Sequence, residues 1–209
     1  KPAGMVGILL SDMTSTYALA GAADAPTLDG RFAAASAALA LVVSGDDGSD
    51  VTGVLNAADL SAKMVGNFIG MEQDDLAVAL TKGFALDSSF GYGATNYEID
   101  FTDESGPSKL VGGSEGGAFQ VAMDAARMLM SGGGKNVAVT ITSAQLPFPE
   151  LKLAYAESGF ALTMPLTKGD APQEFTFLTK LVDLTVSDEV WAMFDPTASL
   201  PRDPATVVI

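Results

Sequence analysis

Apolar and polar residues alternate with a period of two along most of this chain. In "TNYEIDFTD", Tyr97, Ile99 and Phe101 fall on one side and Asn96, Glu98, Asp100 and Thr102 on the other, as in a strand with one wet face. The pattern recurs in "AFQVAMD" (Phe119, Val121, Met123), "NVAVTIT" (Val137, Val139, Ile141), "ELKLAYAE" (Leu151, Leu153, Tyr155), "GFALTMPL" (Phe160, Leu162, Met164, Leu166) and "EFTFLTKL" (Phe175, Phe177, Leu181). Turn chemistry separates these runs: "DESGPS" at Asp103 to Ser108, "SGGGK" at Ser131 to Lys135, "LPFPE" at Leu146 to Glu150 and "KGDAPQ" at Lys168 to Gln173. Short strands and short turns predict a mostly β, antiparallel sheet in meander order within a single β-rich domain over residues 1–209.

Residues 1–70 carry the pattern less clearly. Strands are the favoured reading, with turns near Ser11-Asp12, Ala25-Pro26 and "SGDDGSD", but the alanine-rich run leaves a helix from Arg31 to Leu41 open. Two helices are expected elsewhere. One runs from Glu72 to Lys82, with Leu76, Val78, Ala79 and Leu80 as its apolar positions and Gly83 as its carboxy-terminal cap. The other runs from Asp188 to Phe194, stopped by Asp195-Pro196, with Val190, Trp191 and Phe194 as an apolar face that caps one end of the sheet. So few helices cannot cover a sheet, which must therefore be a strongly curved sheet, a sandwich, or bind something on its apolar face.

Composition removes whole classes of chemistry. The 209 residues contain no cysteine and no histidine, so thiolate or imidazole zinc sites, cysteine nucleophiles and serine triads with a histidine base are unavailable. No cofactor is called for. A formal charge of −15 disfavours nucleic acid and anionic headgroups. The longest apolar run, Phe32 to Val43, is too short for the roughly 20 residues of a membrane-spanning helix. The Lys1-Pro2 start and the Val207-Val208-Ile209 end read as the limits of a piece cut from a longer protein.

Each candidate site has a plainer reading beside it. Asp46, Asp47 and Asp50 in "SGDDGSD" offer carboxylates for calcium but lack the EF-hand spacing, so an acidic turn is the better reading. "GGSEGG", Gly112 to Gly117, lacks the following lysine and helix of a phosphate loop and reads as a flexible hairpin turn. Glu98 and Asp100 share a strand face and could form an acid/base pair, but the wet face of a half-exposed sheet explains them without catalysis and is the better reading. Met123, Met128, Met130, Met164 and Met193 are read first as fillers of core gaps, with a surface for shape-variable apolar ligands as the alternative.

From "GFALDSSFGYGATNYEIDFTDESG" onward, through "SAQLPFPELKLAYAESGFALTMPLTKGDAPQEFTFLTKLVDLTVSDEVW" and "MFDPTASLPRDPATVVI", the chain resembles an uncharacterised alphaproteobacterial family known as domain of unknown function 2125. The most recognisable positions are Trp191, Phe194, Pro196, Pro201, Arg202 and Pro204. The resemblance implies an exported protein of the periplasm or cell envelope, and it transfers no catalytic residue. Residues and resemblance together lead to the expectation of a non-enzymatic envelope protein that binds lipid or another hydrophobic ligand. The alternatives are an assembly module pairing through strand edges or its proline-rich segment with a protein partner, and a carboxylate-based glycan hydrolase.

Overall fold

A computed structural model describes residues 3–71, 75–166 and 173–209. Its strands form one sheet, and in chain order each lies beside the next: β1 (Ala3–Ser11) and β2 (Thr14–Ala22) end to end, then β3 (Ala25–Ser44) and β4 (Asp50–Asn67). Next come β5 (Ala85–Tyr92) and β6 (Thr95–Asp103) end to end, then β7 (Gly106–Ser114) and β8 (Gly116–Met123) end to end. β9 (Arg127–Ser143), β10 (Leu151–Pro165), β11 (Thr176–Val186) and β12 (Ala205–Val208) complete it. Every pairing is antiparallel. The expected meander is therefore present, as a single sheet; among the described residues no second sheet packs against it.

The strands are long. β3 has 20 residues, about 66 Å at 3.3 Å per residue, where about six residues are usual. The alanine-rich run 31–41 lies inside β3, so the helical alternative is not what forms. Alanine's weak strand propensity is overridden by ladders on both sides, to β1 and β2 and to β4.

A line of irregular residues crosses the sheet. Asp12, Asp59, Asn136 and Asp183 have φ of 48°, 51°, 47° and 54°, and Gly116 has φ 138°. The register brings these breaks to the same transverse level. Asp12 lies between the pairs Ser11↔Ser36 and Thr14↔Ala33, and Asp59 between Ala58, opposite Ser36, and Leu60, opposite Ala34. Aspartate and asparagine are the side chains that best tolerate this left-handed conformation.

At the same level the buried phase slips by one residue, from Ala34 to Ala37 on β3 and from Gly134 to Val137 on β9. One residue per strand is taken up as in a β-bulge, which keeps the apolar positions of both halves on one face. The two halves meet there: a Cβ built on Gly134 would sit 3.5 Å from Val137 Cγ2.

These breaks correct two expected turns. "SGGGK" lies inside β9, and Gly112 to Gly117 straddles the junction of β7 and β8. Neither reverses the chain. Similarly, Ser11-Asp12 joins two collinear strands, while the reversal expected at Ala25-Pro26 falls at Ala23-Asp24. "LPFPE" and "DESGPS" are reversals as expected. "KGDAPQ", apart from Gln173, lies outside the described residues.

The helices are small. α1 (Leu76–Thr81) starts at Asp75, whose carboxylate accepts the Ala77 N–H at 2.8 Å, and ends at Gly83 with φ 106°. The first residues of its expected span, 72–74, are outside those described. Of its four expected apolar positions only Ala79 and Leu80 are buried. With Phe84 they form the one cluster of buried residues among those described, packed against Phe68, Leu86, Met123 and Leu166. α2 (Asp188–Phe194) matches its expected span.

Candidate functional site

The largest feature of the molecule is an apolar sheet face. Rows of residues directly opposite one another across the strands run almost without polar interruption. One row is Ile8, Leu39, Leu55, Tyr97, Gly112, Val139, Leu153 and Val186. Beyond the line of breaks, Phe32, Ala62, Phe90, Phe119, Gly132 and Phe160 form a second, and Leu19, Leu28, Gly66, Leu86, Met123, Met128 and Met164 a third. The strand period of two puts each row on one face. The methionines named from the sequence therefore divide: Met123, Met128, Met130 and Met164 belong to this face, and only Met123 among them touches the buried cluster. Met193 on α2 is exposed.

Glycines on this face are roofed by aromatic rings. A Cβ built on Gly112 would lie 2.4 Å from the Tyr97 hydroxyl, and one on Gly117 2.4 Å from the Tyr92 hydroxyl. Gly132 lies between the directly opposed Phe119 and Phe160, whose rings are 6.0 Å apart and tilted by 37°. These rings thus reach over residues without side chains and fill the space above them. Burial, with Tyr155 nearby, pushes the Tyr97 phenol above its ordinary value.

The opposite face carries the charged side chains, interspersed with apolar ones such as Val54, Val111 and Leu178. The neighbouring row beyond the breaks reads Thr16, Arg31, Lys63, Ser89, Gln120 and Ser131. In the other half Lys109 pairs with Glu98 and lies 3.4 Å from Asp100. The hydrogen bond to Glu98 holds its ammonium above the ordinary lysine value. The two carboxylates considered as an acid/base pair therefore converge on a lysine, on an exposed strand. An open trough of about 680 Å³ also lies here, lined by Ser131, Lys135, Glu157 and Lys180 around Gly133 and Gly159, with Lys180 2.6 Å from Glu157.

Asp46, Asp47 and Asp50 lie at the β3–β4 turn. The Asp47 carboxylate accepts from the Ser49 hydroxyl at 2.6 Å and the Ser49 N–H at 3.0 Å, which hold it below the ordinary carboxylate range. Among the described residues no three acidic groups are placed to hold a metal ion.

The tail differs in part from its expected form. Trp191 is half-buried, with an Nε1 that is shielded and has no hydrogen-bond partner among the described residues. Phe194 is 77% exposed, so the pair does not cap the sheet together. A seven-residue helix is about two turns long, and the ring at its last position, Phe194, is left in solvent.

Arg202 pairs with Asp188, tying the Pro196, Pro201 and Pro204 segment back to the start of α2. Asp195, read from the sequence only as a helix stop, is buried and organises the turn. It accepts the Leu200 N–H at 2.7 Å and the Ser199 and Thr197 hydroxyls at 3.0 and 3.1 Å. The Leu200 bond leads in holding its carboxyl low.

The fold and face define a single-layer antiparallel β protein with one apolar side and one mixed side that carries the charges. No family model, curated protein or solved structure matches the chain. No helix among the described residues is long and apolar enough to cross a membrane, which says nothing of strands.

Proposed function

We propose that this chain is a non-enzymatic protein of the periplasm or cell envelope that holds the acyl chain of a lipid, or a similar flexible apolar ligand, against the apolar face of its sheet. The observation that carries the reading is the uncovered face. The molecule exposes 13200 Å², against roughly 9,100 Å² for a compact globule of its mass. Exposed apolar side chains on that scale mark an interaction surface. A long, methionine- and phenylalanine-lined surface without charges in its rows suits a ligand that is long, apolar and variable in shape. The net charge of −15 weighs against recognition through anionic headgroups. Location in the envelope rests on the sequence resemblance read over most of residues 83–209.

The test is saturable uptake of a fluorescent fatty acid by the purified chain. Uptake should be lost in Ile99→Asp and in Leu55→Asp, which place a charge in the apolar rows, and kept in Glu98→Gln on the other face. No uptake by the unmodified chain, or equal uptake by the Ile99→Asp variant with an unchanged far-ultraviolet spectrum, would falsify the reading.

A further inference from the structure

The edge formed by residues 3–22 differs from the protected edges of ordinary sheets. It is about 20 residues of strand, broken only at residues 12 and 13, with Asp12 as its one charged residue and no proline. Met5, Val6, Ile8, Leu9, Tyr17 and Leu19 are between 61% and 75% exposed. About half of its backbone N–H and C=O groups point away from β3, as the alternation of an antiparallel ladder requires. Edges of this length are normally blunted by lysine, proline or a cover. The far edge is blunted: β12 has four residues and follows Pro201 and Pro204.

A strand added here must satisfy a special condition. Each neighbouring strand carries one extra residue at the transverse line marked by Asp12, Asp59, Asn136 and Asp183. A regular strand would follow the apolar face in one half and present its wrong side in the other. Residues 3–22 carry their own break at the midpoint, nine strand residues on each side.

We infer that the edge pairs with the same edge of a second copy of this chain, antiparallel, about a two-fold axis between Ser11 and Asp12. In that register Val6 faces the second copy's Tyr17, Ile8 its Ser15 and Leu10 its Met13, all on the apolar face. Met5 faces the copy's Ala18 and Leu9 its Thr14 on the other. The extra residues of the two strands then align as they do between β2 and β3, and the isologous contact closes after two copies. The two apolar faces join into one. The edge also carries a single charged residue, Asp12, so two molecules of charge −15 meet little local repulsion along it. The inference concerns the edge and stands whether or not the face takes up lipid.

Sedimentation equilibrium of the 209-residue chain from 1 to 100 µM should give twice the monomer mass, reverting to the monomer in Leu9→Lys/Val6→Lys. Oxidation of a double variant, Ile8→Cys/Ser15→Cys, tests the register in a chain without native cysteine. These positions are about 23 Å apart along one chain, beyond the roughly 7 Å reach of a disulfide, so any bridge joins two molecules. The covalent pair should form at least tenfold faster than in Ile8→Cys/Tyr17→Cys, where the register is off by two. A monomer throughout, a dimer indifferent to the two lysines, or equal crosslinking by both cysteine pairs overturns the inference.

Discussion

The corner under α1 and the rest of the sheet show what covering an apolar face does. Both are built from the same strands and the same residue types. Under α1, Leu80 is 2% exposed and Phe84 5%, with Phe68 meeting Phe84 edge-on at 5.8 Å. At the other end of the same face Ile8 and Leu19 are each 69% exposed. Apolar burial stabilises by about 25 cal/mol per Å² removed from water, so the corner draws more of its stability from side-chain packing than the open face does. The sheet elsewhere is held by its ladders and by cross-strand pairs, which leaves its apolar surface available to another molecule.

Truncation should separate the two regions most sharply. Leu80→Ala is expected to cost about 2 to 5 kcal/mol in chemical denaturation, as for other fully buried leucines. In the Leu9→Lys/Val6→Lys background, where the edge is unpaired, Ile8→Ala should stay within about 0.5 kcal/mol, as for exposed positions. Equal losses would mean that the open face is covered in solution, and a concentration-dependent loss for Ile8→Ala in the parent chain would point to the edge-to-edge pair.

Glycines on the open face come next. A methyl on Gly132 would lie 2.8 Å from Phe160 Cε1 and 3.0 Å from the Ala118 carbonyl. The ring can swing but the backbone oxygen cannot, so Gly132→Ala should cost about 1 to 3 kcal/mol by overpacking. Because it lifts a ring from the apolar surface, it should also alter fatty-acid uptake, whereas a change of similar cost under α1 should not.

The transverse breaks explain what was legible in the sequence and what was not. Period-two runs such as Tyr97-Ile99-Phe101 and Leu151-Leu153-Tyr155 identified strands and their wet faces, because a half-buried strand needs that alternation. What failed was the distinction between a break and a reversal. "SGGGK" and "GGSEGG" have turn composition, since glycine serves bulges and turns for the same conformational reason. The separating signal was the phase: between Gly134 and Val137 the apolar set slips by one residue and then resumes, with Asn136 at the slip. The openness of the face was inferable only from the shortage of helices, and the organising role of Asp195 from nothing local.

Asp59 tests that account at smaller amplitude. Its φ of 51° suits aspartate, asparagine or glycine. Asp59→Ala should lose about 1 to 2 kcal/mol, while Asp59→Asn stays close to the parent. If both are neutral, the breaks do not depend on the residue that occupies them.

The smallest effect belongs to the face that carries the charges. The Lys180 hydrogen bond leads in lowering the Glu157 carboxyl below its ordinary value, which is about 4.3 in an unfolded chain. A group whose folded value is depressed contributes stability that is fully present above the unfolded value and is lost as pH falls through the folded one. Between pH 5 and pH 3 the denaturation midpoint of the parent should therefore fall more steeply than that of Glu157→Gln, and the difference should shrink in high salt because the pair is exposed. Parallel pH profiles would show that the ladders, and not the charges above them, hold this face.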